Sequence, residues 1–130
     1  MEKKIRLRVL NEKFCISKLP VFSELPHVFM NAEMVFISRT DDELSILCPE
    51  FMAPSNVQQE TGWRCIRVHD PSPFNEVGVL ASLTTPLAAA NIPILAQSTF
   101  DRDYIFLMEE NLVPATQALQ QAGHEFVHEE

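Results

Sequence analysis

Ser38-Arg39-Thr40-Asp41-Asp42-Glu43-Leu44-Ser45-Ile46-Leu47 returns, at an offset of 60 residues, as Ser98-Thr99-Phe100-Asp101-Arg102-Asp103-Tyr104-Ile105-Phe106-Leu107. Serine, aspartate, an acidic residue and leucine keep step, and each copy sets a short acidic turn between two alternating apolar runs, as a β-hairpin requires. The surroundings recur too. Pro54 and Val57 precede Gly62 after the first hairpin, and Pro114 and Leu119 precede Gly123 after the second, so a helix is expected after each. The later helix is better defined: Leu112, Ala115, Leu119 and Ala122 fall on one face, Asn111 suits the N-cap, and Gly123 suits a left-handed cap. A strand from Glu125 to Val127 closes the unit.

Ahead of the second hairpin, Trp63 to His69 alternates as a strand. A loop with Pro71, Pro73 and Asn75 leads to a helix marked by Val79, Leu80, Leu83, Leu87 and Ala90, which ends at Asn91. Pro86 interrupts that helix and, lacking an N–H, leaves the carbonyl of Ser82 without its usual partner. The second half therefore reads strand, helix, strand, strand, helix, strand, the ferredoxin-like βαββαβ pattern. In the first half the strands are Ile5 to Leu10, Phe14 to Leu19, Met34 to Arg39 and Leu44 to Cys48, with a Pro-interrupted segment, Pro20 to Met30, where the first helix belongs. The expected architecture is α+β: tandem ferredoxin-like repeats at 1–61 and 62–130, the first degenerate. A unit of about 65 residues is marginal alone, so the two are expected to share one compact core.

Composition narrows the function. The chain has 130 residues, 46% of them hydrophobic and 22% charged, the balance of a globular domain. Its formal charge of −8 repels phosphate backbones and anionic lipid, which argues against nucleic-acid and membrane partners. No apolar run has the length of a membrane span or of a signal-peptide core, so a cytoplasmic location is expected. Cys15, Cys48 and Cys65 are odd in number, far apart and flanked by apolar residues, the setting of reduced core thiols. His27, His69, His124 and His128 form no metal-ligand spacing with these cysteines or with each other. With Gly62, Gly78 and Gly123 the only glycines, a phosphate-binding loop is excluded, and no cofactor is expected. His69-Asp70 has the form of a base with its orienting acid, but no nucleophile accompanies it, and a strand-end histidine is the simpler reading.

Five segments, in order and correctly spaced, resemble the ACT domain family of ligand-binding regulatory modules. They are Arg39 to Ile46 with Cys48-Pro49, Gly62-Trp63-Arg64-Cys65, Phe74-Asn75-Glu76-Val77-Gly78-Val79-Leu80, Pro86-Leu87-Ala88, and Ser98 to Tyr104. The similarity spans about residues 5 to 127 and extends to small bacterial tandem-ACT proteins related to the ACT repeats of animal cytosolic arginine sensors. It implies a ligand between the loop opening the first helix of a repeat and the strand end before its hairpin turn. The matching positions are Glu76, Val77 and Val79 in the loop and Thr99, Phe100 and Asp103 at the strand end, while Pro73 stands where those relatives carry a glycine. The resemblance also implies a homodimer.

The residues themselves suit such a ligand. A helix beginning near Phe74, Asn75, Glu76, Val77 and Gly78 presents unpaired N–H groups and partial positive charge to a carboxylate, with Gly78 permitting close packing. Glu76 and Asp103 can pair an ammonium or a cationic side chain, although each also reads as an ordinary first-turn or turn acid. Thr99 and Phe100 offer backbone groups and an apolar wall, or else Phe100 sits in the core; Trp63 is better placed to seal a repeat interface than to stack on a ligand. The expected function is non-catalytic, amino-acid-binding regulation through ligand-dependent conformation or assembly, with any protein partner left unidentified by the sequence. The alternative is an ACT-like dimerisation or protein-interaction module without a ligand.

Overall fold

Alternating apolar residues make eight strands, and two runs of helical period make two helices, in a computed structural model that describes residues 4–72 and 76–128. The strands are β1 (Arg6–Val9), β2 (Phe14–Leu19), β3 (Phe36–Arg39), β4 (Leu44–Pro49), β5 (Gln58–Val68), β6 (Leu95–Ser98), β7 (Asp103–Met108) and β8 (Glu125–Phe126). The helices are α1 (Val79–Ala89) and α2 (Leu112–Gln121). The chain divides into two compact units, Glu12–Trp63 and the pair of segments Met1–Asn11 and Arg64–Glu130, so β5 contributes its first half to one and its second half to the other.

In the smaller unit the strand order is β3-β4-β2-β5, all antiparallel, which is the ferredoxin-like order. Both helices of that pattern are replaced by 3₁₀ turns. His27–Asn31 follows Pro26 and ends extended at Ala32; Glu50–Met52 follows Pro49 and ends extended at Ala53, just before Pro54. The helix expected between Pro54 and Gly62 is absent, because Pro54 biases Ala53 toward extended backbone and the chain enters β5 at Gln58. Leu19, Phe29, Leu44, Ile46 and Cys48 form this unit's core. β5 carries an irregularity opposite Phe14 and Ile16, where Gly62 takes φ 86° and donates its N–H to Glu50 Oε2 at 2.6 Å.

In the larger unit β6 pairs β7, β7 pairs β5, and β5 pairs β1. The first strand departs from its expected place. It lies between β5, to which it is antiparallel, and β8, to which it is parallel, so the last strand of the repeat sits one position further out. Leu7 is fully buried there and joins Ile66, Val68, Leu83, Leu87, Ile105, Leu107 and Leu119 in the core. The compact units consequently differ from the 1–61 and 62–130 repeats in giving β1 to the second.

The hairpins repeat at 59 residues and not at 60. Arg39 faces Leu44 as Ser98 faces Asp103, and Phe36 faces Leu47 as Leu95 faces Phe106. The 3₁₀ turns that follow, Glu50–Met52 and Glu109–Asn111, keep the same interval. A one-residue slip places every side chain on the opposite sheet face, so this shift changes which positions correspond. It pairs Thr40 with Thr99, and each threonine N–H donates across its turn, to Glu43 O at 2.9 Å and to Arg102 O at 2.8 Å.

Candidate functional site

Gly78 opens the site. It is the residue before α1, has φ 85°, and an added Cβ would meet nothing within 4 Å, so glycine is required there by backbone conformation and not by close packing. No side chain caps the first turn of α1 among the described residues, and Val79, Leu80 and Ala81, whose N–H groups begin the helix, all line one cleft of about 330 Å³. The opposite wall is the β6–β7 turn, through Ser98, Thr99, Asp101, Arg102 and Asp103; Ser72 and Glu76 complete it from the loop before α1.

Hydrogen bonds fix the turn wall. Thr99 Oγ1 donates to Arg102 O at 3.2 Å and accepts from Arg102 N at 3.3 Å. Ser98 Oγ donates to Asp103 Oδ1 at 2.5 Å, which orients that carboxylate. Ser72 N donates to Asp101 O at 2.8 Å and Arg102 Nε to His69 O at 3.3 Å, joining the loop after β5 to the same turn. Three carboxylates and one guanidinium line the cleft, together with a helix N-terminus of partial positive charge. That arrangement presents a carboxylate acceptor site and ammonium acceptors within one small volume.

Of the sequence-predicted site residues, Glu76, Gly78, Val79, Thr99 and Asp103 line this cleft. Val77 and Phe100 do not; they are 84% and 79% exposed, so Phe100 is not a core residue. Phe74 and Asn75 lie outside the described residues. Sequence reasoning missed Ser72, Ser98, Asp101 and Arg102, three of which stand inside the repeat motif itself, where the threonine-anchored turn was the available signal. Asn111 makes no side-chain cap: the 3₁₀ turn Glu109–Asn111 runs directly into α2.

A second and larger cavity of the same unit, about 440 Å³, is lined by Arg8, Val9, Asn11, Thr116, Gln120, Phe126, Val127 and His128. Among the described residues it is lined by no helix N-terminus and no carboxylate, and no sequence motif marks it. The smaller cleft is the better candidate because its groups form a complementary charge pattern. Elsewhere, both oxygens of Asp70 accept from Arg6, at 2.7 and 2.8 Å, and this pairing holds the Asp70 carboxyl below its ordinary range. Asp70 is thus engaged by arginine. Trp63 is buried, and its indole N–H has no hydrogen-bond partner among the described residues. All three cysteines are buried, and none forms a disulfide among the described residues. Among the described residues no group of three His, Cys, Asp or Glu side chains is placed to hold a metal ion, and no helix is long and apolar enough to cross a membrane.

The strand order and the two helices define an α+β fold of ferredoxin-like type. Residues 58–121 match the ACT domain, and the chain belongs to the ACT domain family. A protein from Agobacterium tumefaciens is similar in structure with a TM-score of 0.90 and 34% identity, over 98% of this chain and 96% of that one. A Vibrio cholerae protein of unknown function, described as a possible transport protein, is similar with a TM-score of 0.73 and 18% identity, over 92% and 91% of the two chains. The regulatory subunit of aspartate kinase from Thermus flavus matches with a TM-score of 0.62 and 10% identity, over 92% and 99%. The last two likenesses are of fold alone.

Proposed function

We propose that this ACT-domain protein is a non-catalytic cytoplasmic sensor that binds a small amino acid in the 330 Å³ cleft and changes conformation or assembly, as a homodimer, when it does so. One observation carries the reading: the first turn of α1, which no side chain among the described residues caps, and the Ser98-oriented carboxylate of Asp103 line the same cleft. A free amino acid has complementary groups one carbon apart. Its carboxylate takes the helix N–H groups and its ammonium takes Asp103, with Glu76 and Asp101 favouring a cationic side chain. The division into repeats at 1–61 and 62–130 remains part of this proposal. Escherichia coli aspartokinase III, a solved structure of similar fold, is in complex with aspartate and ADP, which shows the fold in an amino-acid-bound protein.

A thermal-shift screen against the standard amino acids tests this. Ligand at about 100 times its Kd stabilises by about 2.7 kcal/mol, several degrees in Tm. The expected result is a shift for one or two amino acids that Glu76→Ala and Asp103→Ala each abolish. No shift in folded, ligand-free protein refutes the reading. That outcome favours an interaction module, for which the specific observation is the exposure of Phe22 (90%), Phe51 (85%) and Met30 (71%) on the smaller unit.

A further inference from the structure

We propose that His124 is the positioning residue of the cleft, supplying to α1 the hydrogen bond that Pro86 withholds. The proposal rests on the amino-acid-binding reading for its functional meaning, though its structural content stands without it. In a regular helix the N–H of residue 86 would bond the carbonyl of residue 82. His124 Nε2 stands 2.9 Å from Ser82 O. Its tautomer follows from the other side of the ring: Ile5 N–H, which can only donate, lies 3.0 Å from Nδ1, so Nδ1 is bare and Nε2 carries the proton given to Ser82.

His124 is 5% exposed and is delivered by the end of α2. Gly123, at φ 98°, allows the paired closing bonds of Gly123 N to Gln120 O and His124 N to Leu119 O, which turn the chain so that residue 124 leaves the helix at a fixed angle. At the receiving end, Ser82 N donates to Gly78 O and Ser82 Oγ to Val79 O, so Ser82 is tied to two cleft-lining residues. Thus one imidazole joins Ile5, the residue before β1, to the turn of α1 that lines the cleft. A side chain more than forty residues distant in sequence replaces a backbone donor within the helix.

Three variants in the full chain test this. Asn at 124 keeps an acceptor near the Nδ1 position and loses reach to Ser82, Gln keeps a donor near Nε2, and Pro86→Ala restores the missing N–H. The expected result has three parts: a ¹⁵N imidazole spectrum of the Nε2–H tautomer; amide exchange in α1 about tenfold faster in His124→Asn, the size of one lost buried hydrogen bond, and near wild type in His124→Gln; and a much smaller effect of His124→Asn in the Pro86→Ala background. Amino-acid affinity is expected to fall and recover in parallel. An Nδ1–H spectrum, or an exchange effect of equal size in both backgrounds, overturns the proposal. If His124→Asn fails to fold, rescue of folding by Pro86→Ala supports the proposal and failure of rescue overturns it. Absence of amino-acid binding in the wild type overturns the sensor reading instead, while the tautomer and exchange results still decide the role of His124.

Discussion

Cys15 and Cys48 stand directly opposite each other on β2 and β4, both without solvent exposure and both free. Burial pushes the Cys48 thiol up to about 11 from an ordinary 9.0, so little thiolate is present to act as a nucleophile at neutral pH. The sign of its linkage to stability follows. The unfolded thiol ionises first, so the unfolded state binds fewer protons between the two values, and stability falls as pH rises from about 9 toward 11. Wild-type stability is therefore predicted to decline more steeply over that range than that of Cys48→Ala, measured by urea unfolding. Alkylation of Cys48 at pH 8 is predicted only under denaturing conditions. Asp70 has the opposite sign: Arg6 lowers its carboxyl, so the pair's contribution is present above the unfolded carboxylate value and is lost as pH falls through the folded one. Both side chains are about half exposed, and the effect is correspondingly small.

At the scale of elements, both helices end in the same way. Asn91 at φ 60° and Gly123 at φ 98° each follow the last turn, and the next residues, Ile92 and His124, donate back to Leu87 and Leu119. Gly123→Ala is predicted to cost about 1 kcal/mol, since a Cβ disfavours that conformation, whereas Asn91→Gly is predicted to be neutral or stabilising. Equilibrium unfolding checks both. These ends were legible in sequence, because Asn and Gly are the residues that tolerate positive φ. So was the orphaned Ser82 carbonyl, since the ring of Pro86 dictates it. His124 was not legible as its partner: no local period relates residues 82 and 124, and only the turn after α2 brings them together. The degenerate helices of the smaller unit were half legible, as Pro20 and Pro26 announced the first loss but Val57 suggested a helix that Pro54 and the onset of β5 exclude.

For the molecule as a whole, the place of β1 was the feature least available to sequence. Its alternation shows a strand, yet partner choice depends on long-range register, and β1 completes the unit made mostly from the other end of the chain. Leu7, fully buried in that unit's core, is predicted to cost about 2–5 kcal/mol when replaced by Ala, a loss read from denaturant midpoints. The same unit holds both cavities, so where a ligand sits decides between them. The most direct measurement is a titration of ¹⁵N-labelled protein with the amino acid that gives the largest thermal shift, following backbone amides. The account predicts that the amides of Val79, Leu80 and Ala81 and those of Thr99 to Asp103 move together with one Kd. Perturbations confined to the cavity around Arg8, Thr116 and Gln120, or no perturbation by any amino acid, would contradict it.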